Sequence, residues 1–95
     1  EQADVYLVNV GELAEAKALA ISERLRDAGL AVVMHAGGGS FKSQMKKADR
    51  SKARYAMIIG DDEIQSDQVS LKPMLSAGEQ QKLTLESAVQ LLKHD

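Results

Sequence analysis

The stretch GGGSFKSQMKKADRS, residues 37–51, runs a glycine turn into a helix crowded with positive charge. A turn of that kind at a helix N-terminus suits a phosphate, because backbone N–H groups face outward and the helix dipole favours an anion. Two specific phosphate motifs fail on spacing. A P-loop needs G-x-x-x-x-G-K-[ST], whereas Ser40 and Phe41 follow the glycines. The dinucleotide fingerprint needs a third glycine that is missing after Gly39, and it belongs after a first strand rather than a second. What remains is a flexible turn, Ser40 as N-cap and a helix end that attracts an anion. Along the helix, Phe41, Met45 and Ala48 share one face and are expected to pack inward. Lys42, Lys46 and Arg50 form a second stripe, and Gln44, Lys47 and Ser51 a third. Polar side chains displayed on a rigid helix suit an RNA loop, where phosphates need cations and unstacked bases need polar partners on their edges.

A second candidate is GDDE, residues 60–63. Its carboxylates are expected where ligands collect in an open α/β sheet, beyond a strand's carboxyl end. They would bind magnesium only by converging, which neighbours on a turn seldom do, so no metal site is assigned. A carboxylate there can also accept from guanine's N1–H and exocyclic amine, a donor edge that no lysine or arginine satisfies. His35, at a strand end, and His94, in the terminal turn, pair with no cysteine or serine nucleophile, and no catalytic residue is assigned. With only Tyr6, Phe41 and Tyr55 as aromatics, base stacking falls to a few planes such as Phe41.

The charge is distributed unevenly. Lys42, Lys46, Lys47, Arg50, Lys52 and Arg54 face one acid, Asp49, a local +5 in a chain of net charge −2, which leaves −7 on the remainder. One face is therefore suited to an anion. No run approaches the roughly 18 apolar residues of a membrane span. The absence of cysteine rules out disulfides and thiolate metal sites. Glu1 opens the chain without an initiator methionine, and the expectation is a piece of a longer protein.

The elements that must position these residues follow from periodicity. VYLVNV (5–10) is a continuous apolar run, as for a strand covered on both faces. Ala14, Ala18, Ile21, Leu25 and Ala28 recur at helical spacing, with Ser22 outside the stripe, and Gly29 ends that helix. A second strand is expected over 30–34, a helix from Ser40 to about Arg50, and a third strand over 55–60. The β-α-β-α-β order implies parallel strands with helices on both faces. Beyond it, Val69 and Leu71 alternate with Ser70 and Lys72 in a strand that Pro73 confines to an edge or an end. Residues 79–84 pair with it antiparallel, and a last helix spans about 85–93.

The succession SFKSQMKKADRSKARYAMIIGDDE, then VSLKPM and GEQ, closely resembles the C-terminal anticodon-binding domain of class II aminoacyl-tRNA synthetases, most nearly its bacterial histidyl branch. The resemblance covers nearly the whole chain. It implies a three-layer α/β/α fold with a mixed five-stranded sheet, a parallel core with an antiparallel edge, and three helices, over a single domain, 1–95. It implies that this module grips the anticodon loop of a tRNA, that of histidine, in the cytoplasm. A separate catalytic domain, homodimeric in the full-length protein, would then attach histidine with ATP and magnesium, and this module would need no cofactor and be free to be a monomer. Carried over by position, Glu63 is a base reader, Gln44 and Lys47 face the loop, Lys72 is the basic residue of the fourth strand, and Lys42 and Lys46 are phosphate contacts. Arg54 matches a less constant basic position. After Glu63 the chain reads IQSDQ, where relatives more often place a glycine. Two alternatives stand beside this reading: a small nucleotide- or phosphate-binding α/β domain using the glycine turn, and a synthetase-derived interaction domain that lost RNA contact.

Overall fold

The computed structural model describes residues 2–95. It contains β1 (Val5–Val10), α1 (Glu12–Asp27), β2 (Val32–Met34), α2 (Phe41–Ser51), β3 (Tyr55–Gly60), α3 (Asp61–Ser66), β4 (Val69–Pro73), β5 (Gln81–Leu83) and α4 (Leu85–His94). The strands form one mixed sheet in the order β2-β1-β3-β4-β5. β2, β1 and β3 are parallel, and β4 and β5 add antiparallel. The expected three-layer α/β/α arrangement is present.

Connectivity decides which face each helix covers. The chain steps outward from β1 to β2 and then back past β1 to β3. Two right-handed crossovers in opposite directions place α1 and α2 on opposite faces. Strand alternation then sorts the side chains. On the α1 side, Val5, Leu7, Met57, Ile59, Val69 and Leu71 pack with Ala14, Ala18 and Leu25, and α4 adds Ala88, Val89 and Leu92. On the α2 side, Tyr6, Val8, Ala56 and Ile58 meet Ala48 and Ala53 in a smaller cluster. Burying a side chain such as Leu25 or Leu92 stabilises by about 1.5–3 kcal/mol. Arg24 and Glu86 pair on the surface and tie α1 to α4, the guanidinium holding the Glu86 carboxyl below its ordinary value.

Three details depart from the sequence expectations. First, the described residues form four helices rather than three, because the acidic turn after β3 is the short helix α3. Its three first-turn acids oppose the positive helix end, and Glu63 Oε1 accepts from the Gly60 N–H at 2.9 Å, half of a capping box. Asp67 ends it in the left-handed conformation (φ 57°) that a glycine adopts more readily. Second, β2 begins at Val32 rather than residue 30, because Leu30 N–H turns back to the Leu25 carbonyl and closes the end of α1. Third, Ser22 is buried in α1, and its hydroxyl has no partner. Gly11 caps α1 without a side chain, so Asp61 Oδ1 accepts from Ala14 N–H at 3.3 Å. Gly11 holds φ 108°, and a Cβ there would run into that same carboxylate.

Candidate nucleic-acid interface

Helix α2 starts where the parallel strands end. Ser40 caps it, its hydroxyl accepting from Ser43 N–H at 3.1 Å, as its position after the glycines predicts. The first turn projects past the sheet, and Phe41 is therefore 47% exposed instead of packing inward. Below it Met45 is half-buried and Ala48 fully buried, as expected of that face.

An open groove of about 630 Å³ lies between α2 and β4, lined by Phe41, Lys42, Met45, Lys46, Asp49, Lys72 and Met74. That volume falls in the range of small-ligand clefts, roughly 300–1,000 Å³, but the groove is wide open along one side. Its shape fits a strand laid across it better than an enclosed metabolite. Three lysines line it against one aspartate, around a floor and wall of Met45, Met74 and the Phe41 ring. Phe41 also borders an adjoining depression at the head of the sheet with Ile58, Gly60, Asp61, Asp62 and Glu63.

Glu63 reaches this face through a hydrogen bond. Its Oε2 accepts from Ser70 Oγ at 3.1 Å, and Ser70 stands two residues before Lys72 on β4, on the same side of the sheet. Each carboxylate oxygen offers two lone-pair sites, so one remains on each after the Gly60 and Ser70 bonds. The carboxylate is thus held firmly, half-buried, on the same side as the lysines. Two of the neighbouring acids are engaged separately: Asp61 accepts from the N-terminus of α1, while Glu63 accepts from Ser70 on β4. Among the described residues no group of three or more His, Cys, Asp or Glu side chains converges as a metal site.

Three sequence-assigned residues lie outside the groove. Gln44 is fully buried, its carboxamide bonded to the main chain of Asn9 and Gly39, so it does not face a loop. Lys47 is exposed but sits about 100° further round the helix than Lys46, on the flank away from β4. Arg54 precedes β3 and so lies at the opposite end of that strand from Glu63. Its guanidinium binds Asp4 (3.1 Å), Asp95 (3.3 Å) and the Leu92 carbonyl (3.3 Å), tying the two chain ends to the sheet. Lys42, Lys46 and Lys72 are brought together in the groove, and Glu63 stands in the depression that adjoins it at Phe41.

His35 is buried at the end of β2. Its Nε2 faces the Gly38 carbonyl at 2.6 Å and must carry the proton, so Nδ1 accepts from Tyr6 OH at 2.8 Å. It is satisfied from within. Sequence reasoning missed Met74 and Lys82 as candidates. Lys82 on β5 is in register with Ser70, which places it on the face of Lys72, and the alternation of exposed Lys82 with half-buried Leu83 was the available signal.

The family described as "Anticodon binding domain" matches residues 4–95. The histidine–tRNA ligase of Methylobacillus flagellatus is 61% identical over 89 residues, covering 94% of this chain and 21% of that protein. That of Thiobacillus denitrificans is 56% identical over 90 residues, 95% of this chain and 22% of the relative. The chain spans about a fifth of the length of the curated relatives it matches. Among solved structures, a Nostoc histidyl-tRNA synthetase superposes with a TM-score of 0.88 at 32% identity, over 99% of this chain and 22% of that one. The RNA binding domain of threonyl-tRNA synthetase from Cryptosporidium parvum reaches 0.89 at 16% identity, over 97% and 23%, and speaks to the fold alone. A match running from Asp4 to Asp95, over a fold shared with solved synthetases, shows that the chain belongs to the anticodon-binding domain family.

Proposed function

We propose that the chain is the anticodon-loop recognition module of a histidine–tRNA ligase. It grips the loop of the histidine tRNA during translation in the cytoplasm, while a separate, dimeric catalytic domain attaches histidine using ATP and magnesium. The observation that carries the reading is the groove between α2 and β4, where lysines from two elements flank an exposed aromatic ring and a held carboxylate stands at the head. Lys42, Lys46 and Lys72 meet phosphates, Phe41 offers a plane for one unstacked base, and Glu63 accepts from a guanine donor edge. A nucleotide site on the glycine turn is not favoured, because its motif spacing fails.

The test is binding of a labelled anticodon stem-loop of the histidine tRNA, beside one whose anticodon bases are replaced. By analogy with bidentate base contacts in DNA, Glu63→Ala costs about 1–3 kcal/mol on the cognate loop and far less on the altered one. Equal losses on both loops would refute base reading by Glu63.

A further inference from the structure

The Gln44 carboxamide uses both its donors and its acceptor on main-chain groups. Oε1 accepts from Asn9 N–H at 3.0 Å, and Nε2 donates to the Asn9 carbonyl at 2.9 Å and the Gly39 carbonyl at 3.0 Å. Beside it, His35 Nε2 donates to the Gly38 carbonyl, and Asn9 Nδ2 donates to the His35 carbonyl at 3.2 Å. Two successive carbonyls of the glycine turn are thus each fixed by a buried side chain. The turn needs such fixing. Residues 37–39 all have positive φ (93°, 67° and 99°), a region glycine shares with many others it visits freely. Regular main-chain bonding resumes only at the Ser40 carbonyl, which accepts from Gln44 N–H.

We infer that Gln44 is a positioning residue for the RNA surface. It locks the glycine turn to the end of β1 and so holds the first turn of α2, with Phe41 and Lys42, in place before RNA arrives. The inference rests on the function proposed above. Its physical basis is preorganisation: ordering even one loop residue on binding lowers an equilibrium constant by about tenfold, and a turn already held avoids that loss. Buried as it is, Gln44 acts through Phe41 and Lys42 and touches no base itself.

The native chain gives the first test. In a 15N-labelled sample, the Gln44 side-chain NH2 exchanges with solvent at least about tenfold more slowly than those of the exposed Gln65, Gln81 and Gln90, and stays protected when the stem-loop is added. Free exchange, or intermolecular NOEs from that NH2 to a base, would overturn the inference in favour of direct reading. Two variants extend it. Gln44→Met fills the volume without any of the three bonds, so amides 39–41 exchange faster and stem-loop affinity falls about tenfold at every pH. Gln44→Glu keeps an acceptor for Asn9 N–H but turns a carboxylate toward two carbonyls, and only its protonated form donates to either. Its deficit is largest at pH 8 and narrows toward pH 5. His35, Tyr6 and the α2 lysines are the titratable groups around the site, and native protein measured at each pH cancels their contribution. Unchanged exchange at 39–41 in both variants, or a Gln44→Glu deficit flat with pH, refutes the role. Should melting show that neither variant folds, the native NH2 exchange decides. If the native chain fails to bind the stem-loop, the proposed function falls, while exchange at 39–41 in the free variants still decides what Gln44 holds.

Discussion

One face of the sheet is closed and the other is half open. On the closed face, α1 and α4 cover a continuous layer from Val5 and Leu7 through Met57 and Ile59 to Val69 and Leu71. On the open face, α2 covers β1 and β3, Glu63 of α3 reaches over the buried Ser70, and Lys72 and Lys82 beyond it on β4 and β5 lie exposed. The difference follows from how strands are connected. Parallel strands require crossovers, and each crossover delivers a helix to a face. β4 and β5 join antiparallel, and the helix that follows them, α4, returns to the face that α1 already occupies. The open end must therefore be polar, and its polarity is cationic. An open cationic surface arises here because the topology supplies one helix too few.

The largest effect expected on this comparison is at the closed face. Ile59→Ala leaves a cavity in the fully buried layer and destabilises by about 2–5 kcal/mol, read from denaturant or thermal melting. Stem-loop affinity of the still-folded fraction, measured well below the melting point, stays at the native value. A parallel drop in affinity would show that the two faces are not separable.

Lys46 and Arg54 sharpen the contrast, because they belong to one basic run. Lys46 lines the groove, whereas Arg54 holds Asp4, Asp95 and the Leu92 carbonyl at the other end of β3. Arg54→Ala destabilises by about 1 kcal/mol, a modest figure because its ion pairs are partly exposed, and leaves RNA binding and its salt slope unchanged. Lys46→Ala shifts stability by less than about 0.5 kcal/mol. It weakens binding to cognate and altered loops alike, and it lowers the slope of log affinity against log salt by about 0.7. Exchanged phenotypes would place the RNA at the wrong end of the sheet.

The smallest effect concerns the two tyrosines, which point to opposite faces. Tyr6, on the open face, is raised above its ordinary pKa by burial, and Tyr55, on the closed face, chiefly by donating its hydroxyl to Asp95 at 2.6 Å, with burial second. In both, the neutral phenol is favoured by folding. Their stabilisation is complete below the unfolded value of about 10 and is lost as pH rises through the higher folded values. Ultraviolet titration should find both phenols ionising late, and Asp95→Asn should bring Tyr55 back toward 10 while leaving Tyr6 in place. A shift of both together would mean that the carboxylate is not the main cause at Tyr55.

The legible parts of the chain were those in which one local signal decides. The apolar runs at 5–10 and 55–60 are β1 and β3 to the residue, Ser40 caps α2, and residues 79–84 contain the antiparallel β5. Signals that were present but outweighed include the acids of α3, read as a turn although Glu63 three residues after Gly60 is half a capping box. Gln44 and Arg54 could not be placed from spacing. A glutamine on a polar stripe and an arginine in a basic run look displayed until it is known which main-chain carbonyls and carboxylates come to meet them.

By itself the sequence determined the period of each element, the caps that bound them, the concentration of positive charge in residues 42–54, and the resemblance that points to RNA. The tertiary structure alone decided which of those charges share a groove. Lys72 joins Lys42 and Lys46 because β4 runs antiparallel beside β3, with Glu63 in the adjoining depression, and Arg54 leaves them because it enters that strand at the far end. Periodicity along a chain fixes the side of an element on which a residue lies. Only the packing of elements against one another fixes what that side confronts.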